Sequence, residues 1–139
     1  MRRPGVMLVE DNPAVARQLR TLLAKEFEIT ACVDNGLSML GMARTTQPDV
    51  IVTDISLPGM DGMAAAEILC KERPELRIVF ITVHTDSSLV ERALRLGDCG
   101  YVLKADAGED LLAAVHGVLA GSAYLSRSIA GHEGRLTRG

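Results

Sequence analysis

The chain has 139 residues, so a single domain with one sizeable core is expected. Hydrophobic residues make up 47% of the sequence and charged residues 24%, a balance typical of a soluble globular protein. The formal net charge of -3 gives no indication of binding to nucleic acid or to an anionic membrane.

No apolar stretch reaches about 18 residues, so the sequence predicts no membrane span and no contact with a membrane. Residues 6–9 are too short for the apolar core of a signal peptide. Cys32, Cys70 and Cys99 are odd in number and widely spaced, which favours reduced thiols in a cytoplasmic protein.

Short apolar runs and helical patterns alternate five times along the chain. The predicted strands are residues 6–9, 29–33, 50–53, 78–82 and 101–103. The predicted helices are residues 15–23, 37–45, 63–73, 89–94 and 111–119. Continuous apolar strands separated by helices predict an α/β fold, with a doubly wound five-stranded parallel sheet covered on both faces. The periodicity fades after Gly121, so residues 123–139 are predicted to be a linker or a disordered tail.

Polar and charged residues stand where the predicted strands end. Glu10 and Asp11 follow the first strand, Asp54 follows the third, Thr82 closes the fourth and Lys104 follows the fifth. Because ligands of open α/β sheets bind outside the carboxyl ends of the strands, we expect these five side chains to meet at one edge.

Three clustered carboxylates repel one another and require a cation. Oxygen ligands without cysteine or histidine suit Mg²⁺. A carboxylate beside Mg²⁺ can accept a phosphoryl group, which makes Asp54 the candidate nucleophile. Lys104 would supply positive charge to the phosphoryl oxygens, and Thr82 would supply a hydrogen-bond donor.

Four segments together resemble the receiver domain of bacterial two-component response regulators. They are LVEDN at 8–12, TDISLPGMDG at 53–62, ITVH at 81–84 and GYVLK at 100–104. The resemblance extends over residues 4–122. GYVLK and the later GSAYLS are most similar to the LuxR-type subfamily, whose output domain is a helix-turn-helix.

The resemblance implies a flavodoxin-like sheet of order 2-1-3-4-5 and a phosphoacceptor, here Asp54. It implies Thr82 and Lys104 as the hydroxyl and the lysine that act on the phosphoryl group. It further implies a Mg²⁺ site formed by Glu10, Asp11, Asp54 and the backbone carbonyl of Ser56. Pro58, Gly59 and Gly62 would shape the loop that lines this pocket.

Two further positions have alternative interpretations. Tyr101 is either a half-buried strand tyrosine or, as the resemblance implies, a switch aromatic that rotates into space vacated when Thr82 moves toward the phosphoryl group. That rotation would reshape the face formed by the fourth helix, the fifth strand and the fifth helix. His84 is either an exposed loop histidine or a residue facing Ser56 that controls water access and the lifetime of the phosphorylated state.

The sequence departs from the family pattern at two places in the pocket. Glu10 stands where many members have aspartate, so its longer side chain could reach a metal only through water. Ala105 stands where many members have proline after the lysine. A cis bond there would cost about 3 kcal/mol more than with proline, so the bond is either strained or trans.

The sequence therefore predicts a phosphorylation switch, and no enzyme, that accepts phosphate from a sensor histidine kinase. It predicts a possible homodimer and a transcriptional output through a LuxR-type DNA-binding domain that is absent from this chain. The alternative is a stand-alone or degenerate receiver that acts as a protein-docking module. An aspartyl phosphatase is disfavoured by Ser56 at the usual acid/base position, and a nucleotide or flavin site by the acidic residues after the first strand.

Overall fold

A computed structural model describes residues 2–129, which form a parallel sheet between two layers of helices. The strands are β1 Gly5–Val9, β2 Glu28–Val33, β3 Val50–Thr53, β4 Arg77–Thr82, β5 Gly100–Leu103 and β6 Tyr124–Leu125. The helices are α1 Pro13–Leu23, α2 Gly36–Thr46, α3 Gly62–Glu72, α4 Ser87–Leu94 and α5 Ala107–Leu119. Within the described residues no helix is long and apolar enough to cross a membrane.

The sheet has the order β2-β1-β3-β4-β5-β6, and every pair of neighbouring strands is parallel. The predicted doubly wound α/β class and the order 2-1-3-4-5 are confirmed. The predicted number of five strands is wrong, because Tyr124 and Leu125 add a sixth strand at the outer edge of β5. These two residues were predicted to lie in a linker. Residues 130–139, the rest of that predicted tail, lie outside the described residues.

The central strands are apolar along their whole length because both of their faces are covered. On β1, Met7 and Val9 belong to the core shared with α2, α3 and α4. Val6 and Leu8, which alternate with them, belong to the core shared with α1 and α5. Side chains of a strand alternate between the two sides of a sheet, so an uninterrupted apolar run serves two cores at once.

Side-chain caps start three helices close to the sheet edge. Asn12 accepts hydrogen bonds from the backbone of α1, with Pro13 as its first residue, and Asn35 caps α2 in the same way. The Asp61 carboxylate accepts from Ala64 N at 2.7 Å at the start of α3. These caps satisfy backbone N–H groups that no helical carbonyl can reach, and they fix where each helix begins after its strand.

The chain after β5 follows the trans path. No peptide bond within residues 2–129 is cis, so the Lys104–Ala105 bond is trans. Lys104–Asp106 form a short 3-10 turn that leads directly into α5. The substitution of alanine for the usual proline is therefore accommodated by the turn.

Gly62 provides a direct test of the packing behind Asp54. A Cβ atom at Gly62 would lie 1.9 Å from the backbone oxygen of Asp54. We expect Gly62→Ala to destabilise the fold by about 1–3 kcal/mol, because the strand end and α3 would have to separate. The measurement is the free energy of unfolding in urea.

Gly41 is the matched control, since it lies within α2 and a Cβ there meets no atom within 4 Å. Gly41→Ala should be neutral or stabilising, by up to about 1 kcal/mol, because alanine is the better helix former. Equal stabilities of the two variants would contradict the proposed close packing at Gly62.

Candidate functional site

The register of the sheet brings the predicted site residues to one edge. Val9 pairs with Thr53, so Glu10 and Asp54 follow the ends of two neighbouring strands at the same level of the sheet. Thr82 pairs with Leu103, so Lys104 follows at the level of the end of β4. A pairing between strands far apart in sequence therefore assembles the site.

Three carboxylates form a tight cluster at this edge. One oxygen from each of Glu10, Asp11 and Asp54 can be chosen so that all three lie within 4.8 Å of one another. Glu10 and Asp54 are buried, with 3% and 5% of their surfaces exposed, whereas Asp11 is exposed. The arrangement joins two poorly hydrated carboxylates to one that reaches solvent.

Lys104 neutralises the buried part of the cluster. Its Nζ atom lies 2.8 Å from Asp54 Oδ2 and 2.6 Å from Glu10 Oε1. Burial would lower the pKa of Lys104, but the contacts with Asp54 and Glu10 outweigh it and hold the pKa above its ordinary value. The ammonium is therefore charged and bridges the two carboxylates.

Glu10 is the less well satisfied partner. Burial is the main influence on the pKa of Glu10 and raises it, and the charge of Asp54 raises it further, while Lys104 offsets only part of the effect. Within the described residues Oε1 accepts no hydrogen bond, so its contact with Lys104 is an ion pair without hydrogen-bond alignment. Glu10 thus carries a buried oxygen with spare capacity for a cation.

Asp54 is held from both sides. Ser56 N donates to Asp54 Oδ1 at 3.2 Å, and Lys104 Nζ donates to Oδ2 at 2.8 Å. The loop that follows can turn back because Gly59 has a φ of 71°, a conformation that costs glycine little. Gly62 N then donates to the Ile55 carbonyl at 2.7 Å, which closes the loop against the end of β3.

His84 connects the pocket to Tyr101. Its backbone N–H donates to Thr82 Oγ1 at 3.1 Å, and its carbonyl accepts from the Tyr101 hydroxyl at 2.9 Å. Its ring Nε2 lies 2.7 Å from Ser56 Oγ, and the histidine tautomer decides which group donates. His84 is partly buried and faces Ser56, which is the geometry that the second interpretation of this residue required.

Tyr101 is fully buried, not half-buried. Its ring packs near Phe80, with ring centroids 6.3 Å apart. Burial raises the pKa of Tyr101 to about 12, so the hydroxyl is protonated and donates to His84. In this structure the tyrosine therefore points inward and is tied to the loop after β4.

The carboxylates that hold the chain after α5 were not predicted from the sequence. Asp110 is buried and accepts from the backbone N–H and the guanidinium of Arg127, and Asp106 accepts from Ser128. Acidic residues at the start of a helix, here Asp106 just before α5 and Asp110 in its first turn, usually only favour its dipole. No pattern in the sequence indicates that they also bind residues about twenty positions later.

The ion-pair arrangement predicts a pH-dependent stability for Lys104→Met. Without added divalent cations, this variant should lose about 1–3 kcal/mol of unfolding free energy near pH 7, because Glu10 and Asp54 would be left unneutralised. The raised pKa of Glu10 means that the folded state binds a proton more readily than the unfolded state. The defect should therefore shrink as the pH falls from about 7 to about 5.

The control is Lys25→Met, an exposed lysine just after α1. Urea unfolding at both pH values measures each variant. A Lys104→Met defect that is independent of pH, or one matched by Lys25→Met, would contradict the role of Lys104 as the bridging cation.

Comparison with known proteins gives a family match that agrees with this geometry. Residues 6–116 match the response regulator receiver domain family. The transcriptional activator protein ExaE of Pseudomonas putida is 33% identical over 128 residues, which cover 91% of this chain and 60% of that protein. The response regulator GacA of Pseudomonas aeruginosa is 30% identical, over 90% of this chain and 59% of that protein. The chain thus spans about three fifths of the length of these curated relatives.

Solved structures agree. A two-component response regulator of the LuxR family from Aurantimonas sp. SI85-9A1 superposes with a TM-score of 0.89 at 30% identity, over 96% of this chain and 99% of that chain. The receiver domain of RcsB from Salmonella enterica serovar Typhimurium gives a TM-score of 0.85 at 22% identity, over 93% and 97% of the two chains, and supports the fold alone. The resemblance seen in the sequence motifs is confirmed: this chain belongs to the response regulator receiver domain family and is of the LuxR type.

Proposed function

We propose that the chain is a phosphorylation-dependent switch that accepts a phosphoryl group on Asp54 from a sensor histidine kinase. The observation that carries the proposal is the position of the Asp54 carboxylate. It lies at the sheet edge between Ser56 N and Lys104 Nζ, beside Glu10 and Asp11. A fixed carboxylate next to a cation and further acidic ligands is suited to in-line phosphoryl transfer.

The residues present fit a Mg²⁺ ion. The donors are hard oxygens, and the buried Glu10 Oε1 accepts no hydrogen bond within the described part of the chain. The ligands would be Glu10, Asp11, Asp54 and the backbone carbonyl of Ser56. When bound, the ion would neutralise the negative charge that otherwise repels an incoming phosphoryl group.

The protein's own groups would act as follows. An Asp54 oxygen attacks phosphorus while the phosphorus–nitrogen bond of the kinase phosphohistidine breaks, and the imidazole leaves with the electron pair. The Lys104 ammonium exchanges its Asp54 contact for the phosphoryl oxygens. Ser56 N and the Thr82 hydroxyl supply hydrogen bonds to the same group.

The switch would operate through His84 and Tyr101. Movement of Thr82 toward the phosphoryl group would vacate space for the Tyr101 ring and favour its inward orientation, in which the Tyr101 hydroxyl donates to the His84 carbonyl. The inward Tyr101 of this structure is the orientation that we associate with the phosphorylated state. Phosphorylation would bias an existing equilibrium and reshape the face formed by α4, β5 and α5, called the switch face below.

The output is proposed to be transcription. ExaE carries the name of a transcriptional activator, and the curated relatives are longer than this chain. We propose that the full protein acts in the cytoplasm and binds DNA through a LuxR-type output domain, with homodimerisation as a further possible step. The length of the complete gene product would test this, since a receiver without further residues would exclude such an output.

The acceptor is tested by intact mass after incubation with acetyl phosphate. We expect the wild type to gain one phosphoryl group in the presence of Mg²⁺ and none in excess chelator. Asp54→Asn should gain none, because an amide is a poor nucleophile. Asp98→Asn, which changes an exposed loop aspartate, should behave as the wild type. No mass gain in the wild type would favour the docking-only receiver instead.

His84 is tested through the lifetime of the phosphorylated protein. The contact between Ser56 Oγ and His84 Nε2 joins the loop after Asp54 to the loop after Thr82, and we expect its removal to admit water to the aspartyl phosphate. Losing one such hydrogen bond predicts roughly two- to tenfold faster dephosphorylation of His84→Ala. Val83→Ala, at the exposed neighbouring position, should leave the rate unchanged. Equal rates for His84→Ala and the wild type would remove His84 from the mechanism.

A further inference from the structure

The chain after α5 is hydrogen-bonded to β5, the strand that carries Tyr101. We call residues 124–129 the C-terminal segment. Tyr124 N donates to Cys99 O at 3.0 Å, and Ser126 N donates to Tyr101 O at 2.9 Å. Leu103 N donates in return to Ser126 Oγ at 3.1 Å. The segment thus pairs with the backbone hydrogen-bonding groups on the outer edge of β5 along most of the strand, up to the residue before Lys104.

The C-terminal segment is also fastened to α5. Arg127 N donates to Asp110 Oδ2 at 3.0 Å, and its guanidinium donates to Oδ1 at 3.1 Å. Ser128 N and Ser128 Oγ donate to the Asp106 carboxylate at 3.3 and 3.1 Å. Burial alone would raise the pKa of Asp110, but its contacts with Arg127 outweigh burial and hold the pKa below its ordinary value. The buried carboxylate is therefore charged and paired.

Ile129 extends the attachment toward α4. It is 1% exposed and belongs to the same core cluster as Tyr101 and as Val90 and Ala93 of α4. The C-terminal segment consequently joins all three elements of the switch face. It is attached to β5 through the backbone, to α5 through carboxylates, and to the core behind α4 through an apolar side chain.

These contacts accompany the inward orientation of Tyr101, whose hydroxyl is bonded to His84. We propose that docking of the C-terminal segment and the inward state of Tyr101 are energetically coupled, so that occupancy of the phosphoryl site tightens the docking and the docked segment favours occupancy. The inference rests on the proposed function, because it assigns a regulatory role to the same pocket. The segment would then transmit the state of the pocket to the chain that follows it.

Thermodynamic linkage makes the coupling reciprocal, so two equilibrium measurements must agree. The phosphoryl mimic beryllofluoride, with Mg²⁺, serves as a reversible probe. Hydrogen exchange of a peptide covering residues 124–129 reports docking, because the Tyr124 and Ser126 amides donate to β5. We expect the probe to slow this exchange by about fivefold or more.

The variant Arg127→Ala removes the guanidinium that pairs with the buried Asp110, and because the Arg127 side chain is itself largely exposed, no core side chain is truncated. We expect faster amide hydrogen exchange in the C-terminal segment of this variant. We also expect its affinity for beryllofluoride to fall, by about the same factor by which beryllofluoride slows the exchange of the segment in the wild type. Arg127→Lys should restore part of both. Arg44→Ala is the control for the loss of an exposed arginine from an ion pair, here the pair with Glu72 between α2 and α3, and it should change neither quantity.

The outcomes separate the two proposals. If the wild type binds beryllofluoride and gains a phosphoryl group, but Arg127→Ala loosens the segment without changing the affinity, the coupling is overturned and the proposed function stands. The coupling is also overturned if the hydrogen exchange of the segment does not change when beryllofluoride binds. If the wild type neither binds the probe nor gains mass, the proposed function fails and the coupling fails with it.

Discussion

The contact of Lys104 with two buried carboxylates is the constraint on which the site depends. Glu10 and Asp54 lose most of their hydration at the sheet edge, and like charges so close together oppose folding. The ammonium of Lys104 offsets this repulsion from the end of β5, two strands away from β3. The order β1-β3-β4-β5 is therefore required by the charges as well as by the apolar core. In the proposed function, the same repulsion would make the pocket receptive to a cation beside the acceptor Asp54.

A short series of hydrogen-bonded groups connects the pocket to the outer edge of the sheet. Thr82, His84 and Tyr101 are joined by two hydrogen bonds, and Tyr101 is joined through its own carbonyl to the C-terminal segment. Each group occupies a buried or partly buried position, where a lost hydrogen bond is costly. We therefore expect a change at the pocket to shift the arrangement of the switch face. The C-terminal segment lies at the end of that series of hydrogen-bonded groups.

Several features could be predicted from the sequence because local chemistry determines them. The apolar runs identified the strands, and acidic or basic residues directly after them identified the edge where Glu10, Asp54 and Lys104 meet. The sixth strand could not be predicted, since Tyr124 and Leu125 form a run too short for any periodicity to show. The contact of His84 with Ser56 was recognised only as one of two alternatives, because a loop histidine gives no sign of its rotamer. The trans bond before Ala105 was likewise undecided, since the preference depends on how the following turn packs.

The sequence by itself determined the class of fold and the chemical character of the pocket, because residue type and spacing act within a few residues and do not depend on the details of packing. The order of the first five strands was implied only by the resemblance of the motifs to the receiver family. The tertiary structure alone decided that Lys104 bridges Glu10 and Asp54, that Tyr101 is buried inward, and that residues 124–126 close the edge of β5. Each of those depends on side chains or strands distant in sequence meeting at hydrogen-bond distance, and such a meeting is fixed only once the whole sheet is assembled.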